Sequence, residues 1–160
     1  MIALSPSIDA LIRSEGERAY PYECCGLVLG ESAGPDGETR RITRAVSLDN
    51  TREGEARRRR FVIEPADFLR AEREALAAGL EVLGIYHSHP DHPAVPSDYD
   101  LSHALPFYSY IIVSVGEGRA DELTSWRLAD DRGRFAPEPV ELTVPEGGQD
   151  PPVAGPPGEH

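Results

Sequence analysis

Apolar positions recur along the chain in two rhythms, and the changes of rhythm divide it into elements. Ile8, Leu11, Ile12 and Ala19 fall at helical spacing, with Asp9, Arg13, Glu15 and Glu17 on the other side. That predicts a helix from Ser5 to Tyr20, capped by Ser5, with Pro6 in its first turn and Pro21 to stop it. The run Glu23-Cys24-Cys25-Gly26-Leu27-Val28-Leu29-Gly30-Glu31 is continuously apolar between two acids and predicts a buried strand. Gly34-Pro35-Asp36-Gly37 predicts a turn, and Arg40 to Leu48 a second strand antiparallel to the first. Beyond a polar loop from Asp49 to Glu55, Arg57 to Ile63 predicts a third strand.

Glu64-Pro65 opens a second helix that runs to Ala78, where Gly79 ends it; Phe68, Leu69, Ala71, Ala75 and Leu76 form its apolar face. Glu81 to Ser88 predicts a strand. Residues 90–96, with Pro90, Pro93 and Pro96, predict a loop. Ser97 to Leu105 reads as a short helix ended by Pro106, and Ser109 to Val115 as a strongly β-type strand. Gly116-Glu117-Gly118 turns the chain, and Leu123 to Leu128 and Pro139 to Val144 supply the last strands. The layout is α/β: a mixed, mostly antiparallel sheet flanked by helices. One domain over residues 1–144 accommodates it. From Pro145 the Pro/Gly-rich composition predicts a flexible tail over 145–160.

Composition narrows the function classes. With 39% apolar and 28% charged residues, the 160-residue chain can bury a core. No apolar run approaches the roughly 20 residues that cross a bilayer, and Met1 to Pro6 lacks the basic and apolar regions of a secretory signal. A net charge of -12 argues against a generic nucleic-acid or anionic-membrane binder. The run Arg57-Arg58-Arg59-Arg60 therefore reads as a charged strand start that deters aggregation. Adjacent Cys24 and Cys25 form no disulfide framework, and a reducing cytoplasmic location fits them.

The chemistry concentrates in Tyr86-His87-Ser88-His89-Pro90 and Ser97-Asp98-Tyr99-Asp100. On a strand, residues two apart share a face, so His87 and His89 project the same way. Asp100 follows at a helix start that can aim it back at them. Two nitrogens and one oxygen can hold zinc and leave its fourth position open, the arrangement of a catalytic site. Hydrolysis then needs a base. Glu23 is the candidate, since an acid at the mouth of a buried strand is otherwise an awkward choice. Ser97 has two compatible readings: an N-cap in a capping-box pattern with Asp100, and a donor to an oxyanion. His92 reads as a rim residue and His103 as an exposed helix residue. His-Glu-x-x-His is absent, and so is the deaminase pairing of His-x-Glu with Pro-Cys-x-x-Cys.

The full set is Glu23, then His87-Ser88-His89-Pro90, a seven-residue gap counted from His89, Ser97, two residues, Asp100. It resembles the JAMM (MPN+, Mov34-type) metallopeptidases, whose pattern it matches at every position. Glu23 to Gly30 and Asp91 to Ser97 look like the first strand and active-site loop of the short prokaryotic branch, and the similarity spans about residues 5–130. The resemblance implies a JAMM/cytidine-deaminase-like architecture and a Zn2+ cofactor held by His87, His89 and Asp100. It implies Glu23 as base and Ser97 as oxyanion donor. It also implies cleavage after the C-terminal Gly-Gly of a ubiquitin-like or sulfur-carrier protein, by a monomer or homodimer. Two other classes share these residues: a non-catalytic interaction module of the same fold, and a zinc amidohydrolase acting on small amides.

Overall fold

The Ser5-Pro6 start does what its residue types dictate. In the computed structural model, which describes residues 1–35, 37–48, 50, 63–129, 131 and 133–143, Ser5 is the N-cap of α1 (Pro6–Ala19). Its hydroxyl accepts from the Ile8 N–H at 3.3 Å. Ile8 and Ile12 are fully buried, so the helical stripe is the face that packs on the sheet.

The strands are β1 (Ile2–Leu4), β2 (Cys25–Ala33), β3 (Thr39–Leu48), β4 (Glu81–Pro90), β5 (Ser109–Gly116), β6 (Arg119–Leu128), β7 (Phe135–Glu138) and β8 (Val140–Leu142). Among the described residues they form one sheet in the order β7-β6-β5-β4-β2-β3-β1-β8. The central pairs β2–β3 and β2–β4 are antiparallel and β4–β5 is parallel. The helix α2 (Pro65–Ala77) packs on β4, and the short α3 (Asp98–Ser102) follows β4.

Alternation along the central strands feeds two cores. Val28 and Tyr86 join Ile8, Ile12 and Ile111 on the α1 face. Leu27, Leu29 and Ile85 join Ala71 and Ala75 on the α2 face. A bulge opposite Val28/Leu29 sets the register of β4. From there on Tyr86 and Ser88 face α1, whereas Ile85, His87 and His89 face the other way.

The α1 face is tied to the sheet by a buried polar contact. The Tyr86 hydroxyl donates to the Glu15 carboxylate at 2.5 Å. Burial raises the pKa of Glu15, and hydrogen bonds from Tyr86 and Ser47 oppose that rise. The Tyr86 ring lies over Gly26, where any Cβ would collide with it. At Gly16 a Cβ would come within 2.9 Å of Val115, so α1 sits directly on the sheet behind Ser88.

Several elements differ from the sequence reading. β1 and β7 were not expected, because three or four residues are too short to show a period. The helix expected over 97–105 stops at Ser102. Pro90, expected to begin a loop, closes β4 opposite Val115. β2 starts at Cys25, opposite His87, so no strand on that side requires an N–H from position 90. The expected strand start with its arginine run and the expected tail lie outside the described residues. No described helix is long and apolar enough to cross a membrane.

Candidate metal centre

The site lies where β2 starts and β4 continues past it. His87 and His89 are both buried, at 1% and 8% exposure. Their Nε2 atoms face each other at 3.1 Å. The His89 Nδ1 lies 2.9 Å from the Pro93 carbonyl oxygen. A carbonyl only accepts, so Nδ1 carries the proton and Nε2 presents its lone pair. Burial lowers the pKa of His87, which keeps that imidazole neutral as a ligand must be; Asp100 opposes the shift.

Asp100 arrives from α3. Its Oδ1 is 3.4 Å from His87 Nε2, and its Oδ2 is 3.3 Å from His89 Nε2. A capping box aims it: the Asp100 N–H donates to the Ser97 hydroxyl at 3.1 Å, and the Ser97 N–H donates to Asp100 Oδ2 at 2.8 Å. Burial alone would raise the Asp100 carboxyl. The adjoining His87 and His89 rings, with the hydrogen bond from the Ser97 N–H, outweigh that and hold it well below the usual carboxylate range.

The loop that sets the gap between His89 and Ser97 is pinned along its length. Asp91 accepts from the Tyr20 hydroxyl at 2.7 Å and from the Glu117 N–H at 2.9 Å. The Thr124 hydroxyl donates to the Ala94 carbonyl at 2.6 Å.

Glu23 completes the cluster. A carboxylate oxygen of Glu23 and one ring nitrogen each of His87 and His89 lie within 4.8 Å of one another. Glu23 is 3% exposed, and its Oε2 has no hydrogen-bond partner among the described residues. Burial, and then the nearby Asp100 charge, push its carboxyl up to about 9. A buried unpartnered oxygen, two inward imidazole nitrogens and a second carboxylate form a donor set that a divalent cation would satisfy, and zinc suits this N/O mixture. The residues fit the ion. Sequence reasoning did not foresee the Pro93 carbonyl, because a backbone acceptor leaves no residue-type signal.

Two grooves flank the cluster. One, of about 560 Å3, is apolar and runs past Phe68, Leu69, Tyr99, Leu105 and Tyr110 to His87 and Asp100. The other, of about 510 Å3, is lined by Glu23, His89, His92, Pro93 and Ser97. His92 is therefore a rim residue, and His103 is exposed and stacks on Tyr99 at 4.1 Å between ring centroids. Burial pushes the Cys24 thiol up to about 12, so it offers no thiolate at neutral pH.

The family model for prokaryotic homologs of the JAB domain matches residues 6–129. The chain belongs to this prokaryotic JAB family. Within it, the chain is similar to a desampylase of Haloferax volcanii, at 32% identity over 95 residues, 59% of this chain and 63% of that one. It is also similar to a Thermus thermophilus protein named "Probable TtuB-protein conjugate cleaving protease", at 31% identity over 103 residues, 64% of this chain and 63% of that one. The match thus spans under two thirds of either relative. A solution structure from Salinibacter ruber is similar at 40% identity and TM-score 0.69, over 94% of this chain and 96% of that one. A JAB1/MPN domain protein from Archaeoglobus fulgidus shares the fold, with TM-score 0.51 and 17% identity over 89% of this chain and 97% of that one. The mixed sheet flanked by helices is therefore the JAB/MPN architecture.

Proposed function

We propose that this JAB-family chain is a cytoplasmic zinc-dependent peptidase. It hydrolyses the amide bond after the C-terminal Gly-Gly of a ubiquitin-like or sulfur-carrier protein, removing a C-terminal cysteine, extension or conjugate. The observation that carries the reading is the convergence of Glu23, His87, His89 and Asp100 from three separate segments on one buried point between two grooves. The names of the two relatives, a desampylase and a probable TtuB-protein conjugate cleaving protease, support the substrate class.

His87, His89 and Asp100 would hold the ion. When bound, zinc supplies a Lewis acid that polarises an amide carbonyl and lowers the pKa of water. Glu23 takes the proton of the attacking water and passes it to the leaving amine. The Ser97 hydroxyl accepts from the Asp100 N–H, which leaves its own hydrogen to donate to the carbonyl oxygen as charge develops there. Glu23 and Ser97 both line the smaller groove, so the leaving amine departs on that side. The acyl part then lies along the apolar groove. A Gly-Gly tail has no side chains to obstruct the crossing between the two.

The test is a carrier protein bearing a C-terminal extension, incubated with the chain and followed by intact mass. The expected product ends at Gly-Gly. Cleavage of small amides with the carrier fusion left intact would favour the amidohydrolase reading. No cleavage of either with zinc bound would favour the interaction module.

A further inference from the structure

The groups that fix Glu23 are not at its tip. Its Oε2 is without a hydrogen-bond partner among the described residues, whereas the peptide that follows it is held at both poles. β2 pairs with β4 as far as Cys25 opposite His87. One step further Cys24 faces Ser88, and there the ladder changes. The Ser88 N–H donates to the Cys24 carbonyl at 3.2 Å. A regular antiparallel pair would return a bond from the Cys24 N–H to the Ser88 carbonyl. Here the Cys24 N–H donates to the Ser88 hydroxyl instead, at 2.8 Å.

The other pole of the same peptide group is the Glu23 carbonyl. It accepts from the Asn50 side-chain amide at 3.2 Å. The Glu23–Cys24 peptide is thus gripped at its N–H by one side chain and at its oxygen by another. Ser88 is fully buried, and its Cβ lies behind the sheet, 3.4 Å from where a Cβ on Gly16 would stand. His87 and His89 point to the opposite face, so Ser88 does not compete for the ion. Asn50 comes from the segment just after β3.

We propose that Ser88 and Asn50 are positioning residues that clamp the Glu23–Cys24 peptide and so hold the Glu23 carboxylate over the metal centre. The inference rests on the reading of Glu23 as the base. Neither residue touches the reacting atoms in this account. A general base displaced by about 1 Å loses on the order of a hundredfold in rate, so the clamp matters even though it lies outside the cluster.

The experiment compares Ser88→Ala and Asn50→Ala, singly, together, and each combined with Glu23→Gln, in the full chain. Cleavage of the carrier fusion, zinc per chain and thermal melting are read for each. Each single variant is expected to lower kcat about tenfold or more with KM changed by less than about twofold. Zinc per chain stays that of the unmodified protein. Because both side chains hold one peptide, the double variant loses less than the product of the single losses. In the Glu23→Gln background neither substitution lowers the residual rate further. Unchanged kcat in both single variants, with Glu23→Gln inactive, would overturn the clamp. So would an equal loss in the Glu23→Gln background, or a loss explained by missing zinc. If Ser88→Ala does not fold, Asn50→Ala decides on the same criteria, since Asn50 is only half-buried. A Glu23→Gln variant with undiminished turnover refutes the base itself, and with it any role for the clamp in catalysis.

Discussion

Replacing Glu23 by Gln is expected to leave zinc bound and to lower turnover about a thousandfold, within the usual range for loss of a general base. Gln keeps the length and shape of the side chain but cannot accept the proton of the attacking water. The substitution is also mild for the fold. Burial and the Asp100 charge push the Glu23 carboxyl up to about 9, so in the metal-free protein that carboxyl is neutral at pH 7, as an amide is. A fall in rate therefore reports on proton transfer and not on unfolding. Steady-state cleavage with metal analysis of the same sample checks both halves. Near wild-type turnover in the Gln variant would remove Glu23 from the mechanism.

Asp100→Asn is the second large effect, and it acts on the ion. Asp100 has two tasks: it faces both imidazoles and it closes the capping box with Ser97. Asn keeps a side-chain oxygen for the Ser97 N–H, so the helix start survives and only the charge is lost. The expected result is a variant that loses zinc on dialysis, shows no measurable cleavage and melts at the same temperature with or without added zinc. The unmodified chain should melt higher with zinc than without it, because only the folded site binds the ion. Asp100→Ala would also remove the side chain that accepts from the Ser97 N–H, leaving the Ser97 cap itself in place. Retention of stoichiometric zinc by the Asn variant would show that Asp100 is not a ligand.

The central geometry was legible because it follows from periodicity. Two residues apart on a strand means one face, and His87 and His89 do share a buried face. The Ser97-x-x-Asp100 spacing was legible as a capping box, and the box is formed. Glu23 stood out as an acid beside an apolar run, and the structure brings it to the two histidines. Other features left no trace in residue type. The partner of His89 Nδ1 is a backbone carbonyl, and the grip on the Glu23–Cys24 peptide joins positions far apart in sequence. Pro90 was misjudged because the rule against proline in strands concerns N–H groups that a neighbour needs, and here the neighbouring strand has ended. β1 and β7 hold their places through pairing with β3 and β6, not through a local pattern.

In the proposed function, the peptidase activity of this JAB-family chain depends on an ion held by His87, His89 and Asp100. The direct measurement is a zinc titration of chelator-treated, metal-free protein, with cleavage of a carrier fusion followed at each point. The account predicts no cleavage without metal, a rise in proportion to bound zinc, and saturation at about one ion per chain, as expected for a single catalytic site. Undiminished cleavage by the metal-free protein, or stoichiometric zinc with no cleavage of any carrier extension, would contradict it.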